Sequence, residues 1–232
     1  MNHLELELNE LRQEVINMWN LVINQIDKSQ NAIIQFDKDL AREVIQTEKR
    51  INALELKIDK DCENIIALFN PVAVDLRLVL ANLKINSNLE RIADIAEGIS
   101  KYVKGLNKPI DKLLIEESGI LKMYAEVGEM MSTMLKAYEE EDSKLARTVF
   151  KMDEQVDEIN KSAILNLTQY ISKHNDQIEE SLYILSIIRK LERVGDQIKN
   201  LAEELIFHVD AKVLKHTKKK SSKNSGLDEK KQ

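Results

Sequence analysis

The chain has 232 residues, of which only 6 are glycine and 2 are proline, and 43% of its side chains are hydrophobic but only 4% aromatic. So few helix-breaking residues, with a core left to aliphatic side chains, favour an all-α protein and exclude a β-sandwich. The net charge is −6, and because residues 212–232 hold eight lysines against two acidic residues, the body before them is more acidic still, which argues against nucleic-acid binding.

The first half of the chain predicts three long helices. Hydrophobic residues three and four apart predict a first helix over residues 4–29 or beyond, and the same spacing predicts a second over residues 40–70. Pro71 lacks a backbone N–H and disfavours the helical conformation before it, so it ends the second helix. A proline is tolerated in a first helical turn, so a third helix is predicted over residues 71–103.

The second half repeats this organisation after a break at residues 105–109. Helices are predicted over residues 112–138, 143–172 and 177–207. The segment LERIAD at residues 89–94 recurs as the similar segment LERVGD at residues 191–196, which indicates an internal duplication. We therefore predict an all-α fold of six long helices in two tandem three-helix repeats. The predicted divisions are residues 1–106, residues 107–211 and a disordered lysine-rich tail at residues 212–232.

Single residues with core character have ordinary interpretations. Cys62 is the only cysteine, lies beside Asp61 of the heptad run in the second helix and has no neighbouring Cys or His, so it is predicted to be a buried structural residue rather than part of a redox or zinc site. Trp19 in the first helix is predicted to pack against a neighbouring helix. No apolar run approaches the ~18 residues that cross a bilayer, and the start of the chain lacks a signal-peptide pattern, so we expect a cytoplasmic protein.

Acidic pairs mark the last helix of each repeat. Glu90 and Asp94 are four residues apart, as are Glu192 and Asp196, so each pair lies on one helical face. Such pairs are common in a chain with 40 acidic residues and alone usually mark a solvated face. The heptad of the third helix nevertheless brings Glu90 and Asp94 onto or beside its core-facing seam.

The preceding helix of each repeat contributes a second pair. In the second repeat this pair is Asp153 and Asp157, and the residues 105 positions earlier are Glu48 and Asn52. Adjacent antiparallel helices can bring two pairs together, and converging carboxylates need a cation, with oxygen ligands suiting Mg, Mn, Ca or Fe. The alternative is a network in which Arg91 and Arg193 neutralise the carboxylates.

Three motifs together resemble the PhoU family of phosphate-transport regulators. They are the doubled L-E-R-[IV]-[AG]-D, the entry to the third helix at residues 71–77 (P-x-A-x-D-L-R), and D-x-x-V-D at residues 153–157. The resemblance spans roughly residues 4–210. It implies iron or zinc clusters held by paired E/D-x-x-x-D motifs in each three-helix repeat, with Mg or Mn as alternatives.

Mapped onto this sequence, the family pattern is complete in the second repeat and incomplete in the first. In the first repeat Asn52 departs from the pattern, so we expect that metal site to be weaker or differently occupied. The implied metal ligands are Asp153, Asp157, Glu192, Asp196, Glu90, Asp94 and Glu48.

The resemblance implies a regulatory function without catalysis. Such a protein represses phosphate uptake and the phosphate-starvation response as an adaptor between the ATPase subunit of a phosphate ABC transporter and a membrane sensor histidine kinase, and it is expected to form a homodimer. The lysine-rich tail suggests peripheral contact with anionic lipid.

Two other interpretations stay open: a helical scaffold without a signalling role, and a regulator of a different phosphate transporter. A ferritin-like di-iron oxidase is disfavoured because no Glu-x-x-His motif is present.

Overall fold

The computed structural model describes residues 3–214, and every regular element in that range is helical. This confirms the all-α prediction. A short 3-10 turn at Asn175–Gln177 precedes the last α-helix. The α-helices are α1 (His3–Gln35), α2 (Lys38–Phe69), α3 (Ala73–Gly105), α4 (Lys112–Glu117), α5 (Ile120–Glu139), α6 (Ser143–Lys173) and α7 (Ile178–Asp210).

Aspartate caps fix where three of these helices begin. The Asp37 carboxylate accepts hydrogen bonds from the backbone N–H groups of the second and third residues after it, both at 2.9 Å, and so starts α2. Asp111 and Asp142 cap α4 and α6 in the same way. A carboxylate at this position satisfies backbone donors that have no partner within the helix. The α1–α2 and α5–α6 connections are therefore short and well defined.

The helix predicted over residues 112–138 is wrong as a single element, because the chain breaks it at Ser118 and Gly119. Gly119 has φ of +80°, a left-handed conformation that interrupts the helical hydrogen bonding. The Ser118 hydroxyl donates to the Ile115 carbonyl at 3.0 Å and accepts from the Ile120 N–H at 3.4 Å. The result is the short helix α4 followed by α5, so the described chain has seven α-helices where six were predicted.

The two repeats pack around one continuous hydrophobic core. Helices α1, α2 and α3 form the first repeat, α5, α6 and α7 form the second, and contacts of α3 with α7 and α1 with α5 join them. Trp19 is fully buried with its ring centroid 5.6 Å from that of Tyr138, and Cys62 is fully buried, as predicted. Residue 106 as the division between repeats stays a prediction, and most of the predicted tail, residues 215–232, lies outside the described range.

The acidic stripe of α3 lies beside the core rather than in it. The heptad taken from Leu76 and Leu80 predicts these leucines as core, but Leu80 is 36% exposed, while Leu78 and Val79 are buried. The buried face is therefore rotated away from the predicted seam. Glu90, which continues the predicted seam, is consequently half-buried at the edge of the core, where a carboxylate is reachable from solvent.

Among residues 3–214, no helix combines the length and the apolar character required to span a bilayer.

Candidate metal centre

Helices α2 and α3 bring three carboxylates together at the surface of the first repeat. Glu48 of α2 and the pair Glu90 and Asp94 of α3 each place one carboxylate oxygen so that the three oxygens lie within 4.8 Å of one another. The four-residue spacing on α3 stacks its two acids on one face. We call these three residues the first acidic cluster. The sequence prediction placed the same three residues at one site.

Crowding of like charges is visible in the electrostatics of the first acidic cluster. Burial and the neighbouring carboxylates, led by Asp94, raise the pKa of Glu90 to about 7. Burial also raises the pKa of Glu48, with Asp94 adding to the shift. Glu55 of α2 is a further carboxylate of this neighbourhood, and burial raises its pKa as well. These three glutamates thus hold protons more tightly than isolated acids do, as expected where compensating positive charge is scarce.

Asn52 is a polar neighbour of the first acidic cluster with an amide oxygen that is unpaired among the described residues. Its amide lies close enough to the Glu48 carboxylate to lower the pKa of that group, against the larger effect of burial. The Asn52 Oδ1 atom is buried, and it has no hydrogen-bond partner in the described part of the chain. Amide and carboxylate oxygens are ligands of hard cations. The three carboxylates therefore fit Mg²⁺, Mn²⁺ or iron, and carboxylates also bind zinc.

Neither arginine of the doubled motif neutralises its cluster directly. Within residues 3–214, none of the ion pairs involves Arg91 or Arg193, and both side chains are exposed. Arg91 acts on Glu90 only through a long-range attraction that opposes the upward pKa shift. The arginine network considered from the sequence is thus absent from the described residues.

The four predicted ligands of the second repeat lie on α6 and α7 but are less tightly grouped than those of the first repeat, because among the described residues only Glu48, Glu90 and Asp94 bring three acidic oxygens within 4.8 Å of one another. Burial raises the pKa of Glu192, and Asp196, Asp157 and Asp153 all add to the shift, so the four carboxylates share one electrostatic neighbourhood. Asp153 is the most buried of them, at 5% exposed. We call these four residues the second acidic cluster.

A lysine that the sequence prediction missed lies inside the second acidic cluster. Lys199 Nζ is 2.5 Å from Asp153 Oδ2 and 2.7 Å from Asp196 Oδ1, so one ammonium bridges α6 and α7. The sequence did contain a signal: Lys199 stands three residues after Asp196, on the same face of α7. That spacing does not reveal that Lys199 also reaches Asp153, which is 46 residues away in the chain.

Gly195 makes room for the close approach of Asp153. A Cβ atom at Gly195 would lie 2.9 Å from Asp153 Oδ1 and 3.3 Å from Val156 Cγ1, closer than a Cβ normally comes. The first repeat has Ala93 at the corresponding position, and the longer Glu48 in place of Asp153. Glycine at position 195 therefore lets the short carboxylate of Asp153 approach α7 closely.

Comparisons of this chain with known proteins all match the same family. The PhoU domain model matches residues 15–103 and 120–205, once in each repeat. The phosphate-specific transport system accessory protein PhoU homolog of Pseudomonas aeruginosa is 32% identical over 214 residues, which are 90% of this chain and 86% of that protein. PhoU homolog 1 of Thermotoga maritima is 32% identical over 214 residues, covering 92% of this chain and 91% of the relative.

The fold agrees with the sequence comparison. The crystal structure of PhoU from Pseudomonas aeruginosa superimposes with a TM-score of 0.82 at 31% identity, covering 90% of this chain and 99% of that one. The two matches to the family model coincide with the two helical repeats, and the doubled L-E-R-[IV]-[AG]-D motif supplies acidic residues to both clusters. With the model matched in both halves of the chain and the architecture shared, this chain belongs to the PhoU family.

Proposed function

We propose that the protein is a regulatory accessory protein of a phosphate-specific transport system. Two named relatives at about 30% identity over nine-tenths of the chain carry that description, which is the observation that supports the proposal most directly. In this proposal the protein represses phosphate uptake and the starvation response when phosphate is plentiful, and it acts by binding partners rather than by catalysis. A regulator of a different phosphate transporter and a non-signalling helical scaffold are the alternatives.

The proposed partners are the ATPase subunit of the phosphate ABC transporter and the sensor histidine kinase of the phosphate response. A second copy of the chain is proposed as a further partner, with the protein working in the cytoplasm at the membrane where transporter and kinase lie. The long helices support this role physically, because rigid rods that share one core present fixed surfaces to other proteins.

We further propose that the first acidic cluster holds a metal ion, iron or zinc in the first instance, with Mn or Mg as the alternatives. Glu48, Glu90 and Asp94 would be its carboxylate ligands, and Asn52 Oδ1 would add a neutral oxygen. A bound ion supplies positive charge that α2 and α3 otherwise lack at this point, and so it would fasten the two helices together. The second acidic cluster stays a predicted metal site, with Lys199 as the group that an ion would have to displace.

Both parts of this proposal are tested with one set of strains. Deleting the gene should raise phosphate-responsive alkaline phosphatase in high phosphate, and the wild-type gene should restore repression. The double variant Glu90→Gln, Asp94→Asn should lose its metal on purification, measured by elemental analysis, because it keeps the shape of the cluster but removes two charges. The matched control is Glu116→Gln, which changes an exposed glutamate of α4.

The outcomes separate the two parts. Unchanged repression after deletion would contradict the regulatory function. Equal and near-zero metal in wild type and double variant would contradict the metal site. The regulatory function would then still be tested by the deletion and complementation strains. Normal repression by a metal-free double variant would show that the ion serves the fold rather than the signal.

A further inference from the structure

The duplicated sequence makes the two acidic clusters direct counterparts, with one reversal of charge. A shift of 102 residues aligns Glu90 with Glu192 and Asp94 with Asp196, and the same shift aligns Glu97 with Lys199. One turn beyond the paired acids, the first repeat thus has a carboxylate where the second has an ammonium. The two clusters therefore carry opposite charges at this matching position.

Lys199 bridges two of the four carboxylates of the second acidic cluster. Its ammonium contacts Asp153 of α6 at 2.5 Å and Asp196 of α7 at 2.7 Å, and the lysine side chain is 27% exposed. The ammonium is therefore bonded to two of the predicted metal ligands, one on each helix.

The lysine nearest the first acidic cluster has a different position. Lys101 pairs with Glu97 at 2.6 Å, one turn along α3, and its side chain is 58% exposed. Of the described carboxylates, the hydrogen bond of Lys101 goes to Glu97, which is outside the three-oxygen group of Glu48, Glu90 and Asp94. The first cluster therefore keeps its converging oxygens accessible to an ion.

We propose that Lys199 is the resident cation of the second acidic cluster, so that a metal ion enters that cluster only by displacing it, whereas the first cluster takes an ion directly. This inference rests on the proposed metal site of the first repeat. It also reverses the order of metal affinity expected from the sequence alone, in which Asn52 makes the first site the weaker of the two. A lysine in the cluster lowers the affinity for a metal ion more than an amide does, because an amide oxygen can be a ligand and an ammonium cannot.

Mutual exclusion follows from charge and from shared oxygens. An ammonium and a divalent ion at contact distance repel each other strongly in a half-buried site. The two also compete for Asp153, which is nearly inaccessible to solvent, and Asp196. The lysine is tethered one turn from the site, so it returns whenever the ion leaves and loses little freedom in doing so.

The first test is a titration of metal-stripped full-length protein with Mn²⁺, followed by calorimetry and by electron paramagnetic resonance of free Mn²⁺. Wild type should bind one ion tightly, and Lys199→Met, which keeps the length of the side chain but not its charge, should bind a second with at least about tenfold higher affinity than wild type does. Lys199→Arg keeps the charge and should match wild type. Lys101→Met is the matched control on the other repeat and should not gain an ion.

Reciprocal and stability measurements complete the test. Glu97→Lys introduces the charge of the second cluster into the first and should weaken the tightly bound ion. In EDTA, Lys199→Met should unfold at a lower temperature than Lys101→Met does, because four carboxylates lose their counterion, and Mn²⁺ should recover that loss.

The results distinguish this inference from the metal proposal on which it rests. If no variant binds Mn²⁺, or Zn²⁺ and Fe²⁺ in parallel titrations, the metal proposal fails, while a selective loss of stability in Lys199→Met still supports the lysine as counterion. The inference is overturned if wild type fills both clusters with equal affinity. It is also overturned if Lys199→Met neither gains an ion nor unfolds earlier than Lys101→Met in EDTA.

Discussion

His208 is a buried ionisable residue at the end of α7, about three turns beyond Asp196 of the second acidic cluster. Its side chain is 4% exposed, and its Nε2 atom is 3.7 Å from the Glu141 carboxylate at the turn before α6. The same carboxylate accepts a hydrogen bond from Arg12 at 2.7 Å, which ties α1 to this turn. Burial lowers the pKa of His208 below its usual 6.5, although Glu141 opposes the shift.

We expect His208 to make stability depend on pH on the acidic side of neutrality. Because the folded protein binds this proton less readily than the unfolded chain does, the stabilising effect is complete above about pH 6.5 and is lost as the pH falls towards the lowered pKa. Urea unfolding of wild type and His208→Gln between pH 7 and 5 should show their difference in unfolding free energy shrinking by at most about 1.4 kcal/mol per pH unit. A constant difference would contradict the assignment.

At the residue scale, the sequence predicts burial better than it predicts pairing. Trp19 and Cys62 each follow directly after a residue of the heptad run, Met18 and Asp61, and a helix that packs on its neighbours buries side chains along that seam. The pairing of Lys199 with Asp153 depends on how α6 and α7 are placed against each other and on the missing Cβ of Gly195. Neither condition is a property of local sequence, so this contact was found only in the structure.

At the scale of elements, the break between α4 and α5 is the feature that sequence periodicity missed. Leu114, Ile115, Met123 and Val127 are all buried and continue a helical spacing across the break. Glycine inside such a pattern is compatible with an intact helix, so Gly119 by itself predicts nothing. Its left-handed backbone separates the two elements, and α4 packs against both α5 and α6. The bounds of the other helices agree with the prediction to within a few residues, and α1, predicted to reach residue 29 or beyond, continues to Gln35.

Two alanine substitutions in this region should change stability in opposite directions. Gly119→Ala should destabilise by about 1–2 kcal/mol, because alanine pays a steric cost at a φ of +80°. Gly128→Ala, in the helical interior of α5, should stabilise by roughly 0.5–1 kcal/mol, since its added Cβ meets nothing within 4 Å. Thermal unfolding of both variants with wild type measures the contrast. Equal effects of the two substitutions would contradict the left-handed break.

At the scale of the whole molecule, duplication explains the topology but not the way the copies join. The matched motifs predict two similar three-helix units, and local contacts within each unit follow from short connections. The packing of α3 on α7 and of α1 on α5 is a long-range outcome that the repeat pattern leaves open. In the structure, one hydrophobic core runs through both units, and the ring of Trp19 from the first unit packs against that of Tyr138 from the second.

A shared core predicts that the two repeats unfold together. Trp19 is the only tryptophan, so its fluorescence reports on the first repeat and its border with α5, whereas far-ultraviolet circular dichroism reports on all helices. The two signals should give coincident denaturation curves. Leu167→Ala, a buried site in α6 of the second repeat, should lower stability by about 2–5 kcal/mol and shift the Trp19 transition by the same amount. If the fluorescence transition stayed in place while the dichroism curve split into two steps, the repeats would be independent folding units, and the contacts between α3 and α7 would contribute little to the stability of the fold.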